Sequence, residues 1–314
     1  MITTPQAADE HSTLVSPPPP QHWSLPLPQR LWAVITALAL VDTVWLLRSD
    51  LTLTLTTPHV LVTRAIIFAL CLLVGLGARW WGPLQRFRAL AVTFLQLNAL
   101  TITAGVFSYF VVTLQRPCID AWLVQADSAL GVDYVAWFTW VHAHPGVAYI
   151  FHKAYDLTAW LLLVCLIVPV LGGAQQQATT LLWQLALALL VIVPVSGLWP
   201  AQSAWVTHGV ATQVSPDALT WWPVWQALHT GTATALDPIM IEGIITFPSF
   251  HTATGILATA ALWRYRRVFP LACLLNGTML LAVPTHGGHY VSDIFAGALV
   301  AGLVLWMTRR ALTA

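Results

Sequence analysis

Long apolar runs, broken by short polar joints, occupy most of this chain. They fall at residues 31–48, 59–79, 88–114, 147–171, 178–200, 250–264, 268–284 and 290–308. The hydrocarbon core of a bilayer, ~30 Å thick, takes ~20 apolar residues of helix to cross. Most of the runs meet that length, and the sixth and seventh fall short of it. In lipid the backbone must satisfy its own polar groups, so a span is either a helix or a strand of a closed barrel. Runs this long and this continuously apolar do not fit the alternating segments of about 10 residues that build a barrel. The pattern predicts an all-α polytopic transmembrane bundle of about eight spans. Residues 1–28 are polar and rich in proline, with Pro17–Pro20 in a row and no early apolar core. They predict a disordered cytoplasmic tail rather than a cleaved signal, leaving the first span as an uncleaved anchor. The expected organisation is a tail over 1–28, two helices over 29–87 and a six-helix domain over 88–314.

Composition strengthens this picture. The chain is 58% hydrophobic and only 8% charged, against roughly 25% charged in ordinary soluble proteins. Its net charge of +1 gives no field for a nucleic-acid partner. If the N-terminus is inside, the inner segments hold Arg30, Arg79, Arg86, Arg88, Arg264, Arg266, Arg267, Arg309 and Arg310, and the outer loops only Arg48 and Arg116. This follows the positive-inside rule and predicts a multi-pass protein of the plasma (inner) membrane with both termini cytoplasmic. The four cysteines fit neither a disulfide framework nor a zinc spacing.

The predicted outer side carries the longest joints. Residues 115–146 hold Asp120, Asp127 and Asp133 among tryptophans, which suits a helix lying in the interface. Residues 201–248 hold Trp205, Trp221, Trp222 and Trp225 without a lysine or arginine. Such tryptophans are expected to anchor at the headgroups, or to form the rim of a lipid entrance.

Two short clusters carry chemistry. In Phe247-Pro248-Ser249-Phe250-His251-Thr252, proline and serine precede a helical run. Ser249 is a candidate N-cap, and the first-turn amides make a ready anion site. In His286-Gly287-Gly288-His289-Tyr290-Val291-Ser292-Asp293, His289 and Asp293 are four apart and share a helix face. A carboxylate there fixes the imidazole tautomer and stabilises its cation. On the predicted topology both clusters stand at helix starts on the outer face, so two helix N-termini and two or three histidines could converge on a phosphate. His22, His59, His142, His144, His208 and His229 are expected to be solvated interfacial residues. Asp42 and Arg64 are expected to form a buried pair or helix-packing contacts, and Glu242 is expected to be an exposed loop carboxylate.

Pro248-Ser249-Phe250-His251 resembles the Pro-Ser-Gly-His signature of the type 2 phosphatidic acid phosphatase superfamily. His289 with Asp293 resembles the end of that superfamily's Ser-Arg-x5-His-x3-Asp signature. The bulky Phe250 and the Gly-Gly-His-Tyr-x-x-Asp form are more similar to the inositol phosphorylceramide synthase branch. The resemblance implies that His289 attacks phosphorus, Asp293 orients it and His251 protonates the leaving oxygen, with no cofactor and no metal. Ser249 and the amides around it, Phe250 included, would hold phosphate oxygens together with Gly288. The chain departs from the family where Tyr109 replaces the lysine of the Lys-x6-Arg-Pro signature ending at Arg116-Pro117, and where Ala282 and Val283 replace the serine and arginine of the third. By the resemblance, Arg116, Lys153 and His286 become the candidates for the phosphate-binding charge. The implied partners are a membrane lipid substrate and either water or a soluble alcohol as acceptor.

Two other classes compete. His251, His286, His289 and Asp293 could ligate a metal in a membrane oxidoreductase, although the His-Glu-x-x-His motif is absent. Asp42, Arg64, Lys153 and Asp156 could line a transporter pathway, but no internal repeat is visible.

Overall fold

The computed structural model describes residues 26–54, 58–77, 85–238 and 242–312. Nearly all of the expected tail, and Arg79 among the inner arginines, lie outside these residues. Helices stand at all eight predicted apolar runs: α1 (Leu27–Arg48), α2 (Pro58–Gly77), α3 (Gln85–Val112), α6 (Pro145–Leu171), α7 (Gln175–Leu198), α10 (Phe250–Ala261), α11 (Phe269–Gly287) and α12 (Val291–Leu312). Among the described residues, six of them (α1, α3, α6, α7, α11 and α12) are long and apolar enough to cross a membrane. The sixth run, predicted over 250–264, gives a helix of only 12 residues.

The bundle is organised around α7. Leu181, Leu182, Ala186 and Ile192 of that helix are almost fully buried, and it packs on α1, α3, α6, α10 and α12. Short α10 is held among α6, α7, α11 and α12. Two devices make that enclosure possible. Gly297 of α12 is buried where a Cβ would run into the Ser249 carbonyl, so the start of α10 lies directly on the α12 backbone. Asn276 of α11 is buried, and its amide donates to the Gly255 carbonyl at 3.0 Å and to Thr259 Oγ1, while its oxygen accepts from Thr158 at 3.4 Å. One side chain thereby ties α6, α10 and α11 together. Gln184 donates to Thr308 at 2.8 Å and links α7 to α12 in the same way. Such interhelical hydrogen bonds matter where helices gain little from hydrophobicity against a lipid solvent.

A polar cap covers one end of the bundle, where α3 and α7 finish and α6, α10 and α12 begin. The segment predicted as one interfacial helix forms two, α4 (Asp120–Ala129) and α5 (Tyr134–Ala143). Gly131, at φ +76°, turns the chain between them, and Asp133 caps α5 by accepting from Ala136 N at 2.9 Å. Short α8 (Ala204–Thr207) and α9 (Trp221–Thr230) follow, and β1 (Thr52–Leu53) pairs in parallel with β2 (Ala235–Leu236). Of the tryptophans expected to be anchors, Trp205 and Trp225 are instead buried in the cap. Trp122 and Trp140 do face outward. Asp42 does not pair with Arg64: its Oδ1 is buried without a hydrogen-bond partner among the described residues, and Arg64 is exposed.

Asn276→Leu is expected to lower stability by about 0.6–2 kcal/mol, the range for one interhelical hydrogen-bonding group in a membrane bundle. Thermal unfolding in detergent checks it, with Asn98→Leu as the comparison, because among the described residues Asn98 bonds within its own helix, to Phe94 O.

Candidate active site

A cavity of about 1190 Å³ opens beneath the cap. One wall is apolar, with Leu97, Leu100 and Ala104 of α3 and Leu185, Leu189 and Val193 of α7. The other is polar and carries His251, His286 and His289 together with Tyr155, Glu242 and Asp156. The two sequence clusters therefore meet on one surface, as their positions at helix starts predicted.

His289 stands in the joint between α11 and α12. Gly288 makes that joint possible. It is left-handed at φ +67°, and a Cβ there would strike Ser203 Oγ and the Trp205 ring. Its carbonyl accepts from Ala204 N at 2.8 Å and from Ser203 Oγ at 2.9 Å, so α8 fixes the turn. One turn on, Asp293 is fully buried, and its Oδ2 lies 3.2 Å from His289 Nδ1 and accepts from Tyr290 N at 2.9 Å. An acidic partner at Nδ1 leaves Nε2 as the lone-pair nitrogen. Burial pushes the His289 imidazole down to about 4, opposed by the Thr246 carbonyl beside it. The ring is thus neutral at ordinary pH, the state that a nucleophile requires.

His251 sits in the first turn of α10, with its ring centre 6.4 Å from that of His289 and tilted by 67°. Tyr155 of α6 stacks on His251 at 4.5 Å, and its hydroxyl lies 3.2 Å from His251 Nδ1. Nothing in the sequence pattern singles out Tyr155. One turn of helix carries His152 and Asp156 to the cavity's rim, where they pair at 3.3 Å, and Tyr155 inward.

Ser249 caps α10 as expected: it accepts from Thr252 N at 3.3 Å, is completely buried, and donates its own N–H to the Asp293 carbonyl at 3.2 Å. It and Gly288 stand behind the cavity wall, whereas Phe250 and His286 lie on it. The expected convergence of two free helix N-termini is not found. The start of α12 is filled by the Asp127 carboxylate, which accepts from Val291 N and Ser292 N at 2.8 Å each. Of the two, the start of α10 alone faces the cavity.

The candidate cations do not line the cavity. Arg116 is exposed in the joint after α3. Lys153 is exposed at the rim, its ammonium 5.7 Å over the ring of Tyr149. Tyr109, at the lysine position, is buried and accepts from Glu242 N at 3.0 Å. Glu242 is itself half-buried on the cavity wall and not a free loop carboxylate. His142, expected to be merely solvated, also reaches the cavity and stacks on His286 at 5.9 Å. Among the described residues no group of three or more histidine, cysteine or acidic side chains is arranged to hold a metal ion.

A family model of the PAP2 superfamily matches residues 121–307, more than half of the chain. The chain belongs to the PAP2 superfamily, whose members are phosphatases and phosphotransferases of lipid phosphates. With its apolar helices, it is an integral membrane protein. No curated protein and no solved structure matches the chain. The matched span holds both histidine clusters and leaves out Tyr109 and Arg116.

Gly288→Ala is expected to destabilise the protein by about 1–3 kcal/mol, the cost of a strained backbone, with the added clash against Trp205 and Ser203. Thermal unfolding checks it, and Gly277→Ala, which has open space around its Cα, is expected to be neutral or stabilising.

Proposed function

We propose that the protein is a metal-independent phosphotransferase that moves the headgroup of a membrane phospholipid to an alcohol through a phosphohistidine on His289. The observation that carries this reading is the buried His289–Asp293 pair facing His251 at the head of a cavity with an apolar wall. The lipid's chain would lie against α3 and α7 and its phosphate between the two rings. His289 Nε2 attacks phosphorus, and the bond from phosphorus to the lipid oxygen breaks. His251, entering protonated beside the phosphate, gives its proton to that oxygen. In the second half His251 takes the proton of the acceptor hydroxyl, whose oxygen displaces His289 from phosphorus. Splitting the displacement in two makes each step easier. The first-turn amides at Phe250 and His251, with His286, would bear the phosphate charge.

The charge on the cavity wall favours transfer from a diester over hydrolysis of a monoester. Among the described residues that line the cavity there is no lysine or arginine, whereas Asp156, Asp217 and Glu242 are present. A phosphomonoester would bring two negative charges to these carboxylates and a diester only one, in a setting where low dielectric strengthens repulsion. Carboxylates and imidazoles also suit the hydroxyls of a polyol, in keeping with an inositol-phosphate type of headgroup. The arginines beyond the far end of α10, Arg264, Arg266 and Arg267, support a cytoplasmic side there and an active site on the extracytoplasmic face of the plasma membrane.

Purified protein and a His289→Ala variant, given phospholipids and lipid phosphates with chelator present, test the reading. Turnover is expected to fall by about 10³-fold or more in the variant, with phosphodiesters preferred and a new lipid or headgroup ester formed when an alcohol is added. Equal turnover by the variant would overturn the site. Free phosphate from phosphatidic acid as the main product would replace transfer by hydrolysis.

The pH dependence is a second check. A nucleophile depressed to about 4 remains neutral down to that value and is lost only as pH falls through it. The acid limb of kcat/KM is therefore expected near pH 4 and not near the ~6.5 of an ordinary histidine.

A further inference from the structure

We infer that Asp127 and Asp120 of α4 are positioning residues for His289, so that a helix of the cap holds the catalytic joint in register. This rests on the reading of His289 as nucleophile. Both carboxylates lie on the buried face of α4 with Leu123, while Trp122 of the same helix is 67% exposed. Asp127 is 2% exposed, and its two oxygens each accept one backbone N–H, from Val291 and from Ser292, at 2.8 Å. These are the first amides of α12, the helix that carries Asp293. Asp120 is 7% exposed and accepts from the Tyr290 hydroxyl at 2.7 Å, from Thr207 Oγ1 at 3.1 Å, and from Gln202 N at both oxygens. His289 thus lies between Gly288, fixed by α8, and three consecutive residues each tied to α4.

Neither carboxylate needed to be charged for the fold alone. A serine or asparagine caps a helix as well as an aspartate does, and burying a carboxylate is costly. What two opposed acceptors on adjacent amides add is a fixed angle for the start of α12, and with it for the His289–Asp293 pair. A displacement of about 1 Å in such a group costs about 10²-fold in rate.

The test compares Asp127→Asn and Tyr290→Phe with Asp133→Ala, all in the full chain. Asp133 also caps a helix of the cap, and its side-chain bond among the described residues goes to Ala136 N of its own helix. Asp127→Asn is expected to lower kcat by about 10–100-fold with KM changed less than about 3-fold, and Tyr290→Phe, which removes only the hydroxyl held by Asp120, to lower kcat by about 3–10-fold. Asp133→Ala is expected to lower the melting temperature but to leave kcat unchanged. Trapped phosphohistidine is expected to form more slowly in Asp127→Asn. If Asp127→Asn does not fold, Tyr290→Phe decides. Unchanged kcat in a folded Asp127→Asn, or in Tyr290→Phe when it decides, overturns the inference, as does a loss confined to KM. Turnover that survives His289→Ala would instead defeat the nucleophile reading on which it rests.

Discussion

The bond between the Asp293 carboxylate and His289 Nδ1 is the constraint around which the rest of the site is arranged. It joins two buried polar groups, and each would be costly to bury alone. Placing them together demands that α12 start within a few residues of the end of α11, which the left-handed Gly288 allows. It demands that the turn be held from outside, which α4 and α8 do. It also brings the Ser249 N–H onto the Asp293 carbonyl, so the second histidine motif is docked on the same residue that orients the first. The missing side chain of Gly297 lets these two helices approach. Removing the carboxylate would leave His289 with no fixed tautomer, while the start of α10 would keep its bond to the main-chain carbonyl.

On the proposed reading, the cavity would be a site for lipid phosphates built with little fixed positive charge. Imidazoles and helix-end amides would then take the places where lysine and arginine would otherwise stand. Imidazole is neutral when dry and becomes cationic when an anion arrives, so the wall can remain buried when empty. The cost would be selectivity against heavily charged substrates, because no lysine or arginine among the described residues of the wall neutralises the neighbouring carboxylates.

Much of this is legible in the sequence. Apolar runs against ~30 Å of hydrocarbon leave little choice of fold, and the i, i+4 spacing of His289 and Asp293 is enough to predict their contact. Ser249 as N-cap follows from its place between a proline and a helical run. What the sequence does not show depends on tertiary neighbours. Asp127 and Asp120 read as acidic residues of a helix lying in the interface, and only the packing of α4 on α12 turns them inward. Tyr155 lies between two residues that pair on the rim, and its inward direction is set by the phase of α6. The scarcity of cations on the cavity wall is partly visible in Tyr109 and Val283, but the outward course of Lys153 is not. Trp205 reads as an anchor by composition, yet it packs on Gly288 in the joint between α11 and α12.

The length of α10 bears on how a lipid reaches the chemistry. Twelve residues rise ~18 Å, against a hydrocarbon layer of ~30 Å. With Arg264, three residues beyond its end, at one membrane surface, an upright α10 would begin short of the other. His251 is then recessed below the plane in which phosphates ordinarily rest. On the proposed reading a substrate would sink into the protein, carrying its charge out of water, or the bilayer would thin around the bundle to meet it. Catalysis would therefore be mechanically linked to the thickness and stiffness of the surrounding lipid, a property of the membrane and not of any residue.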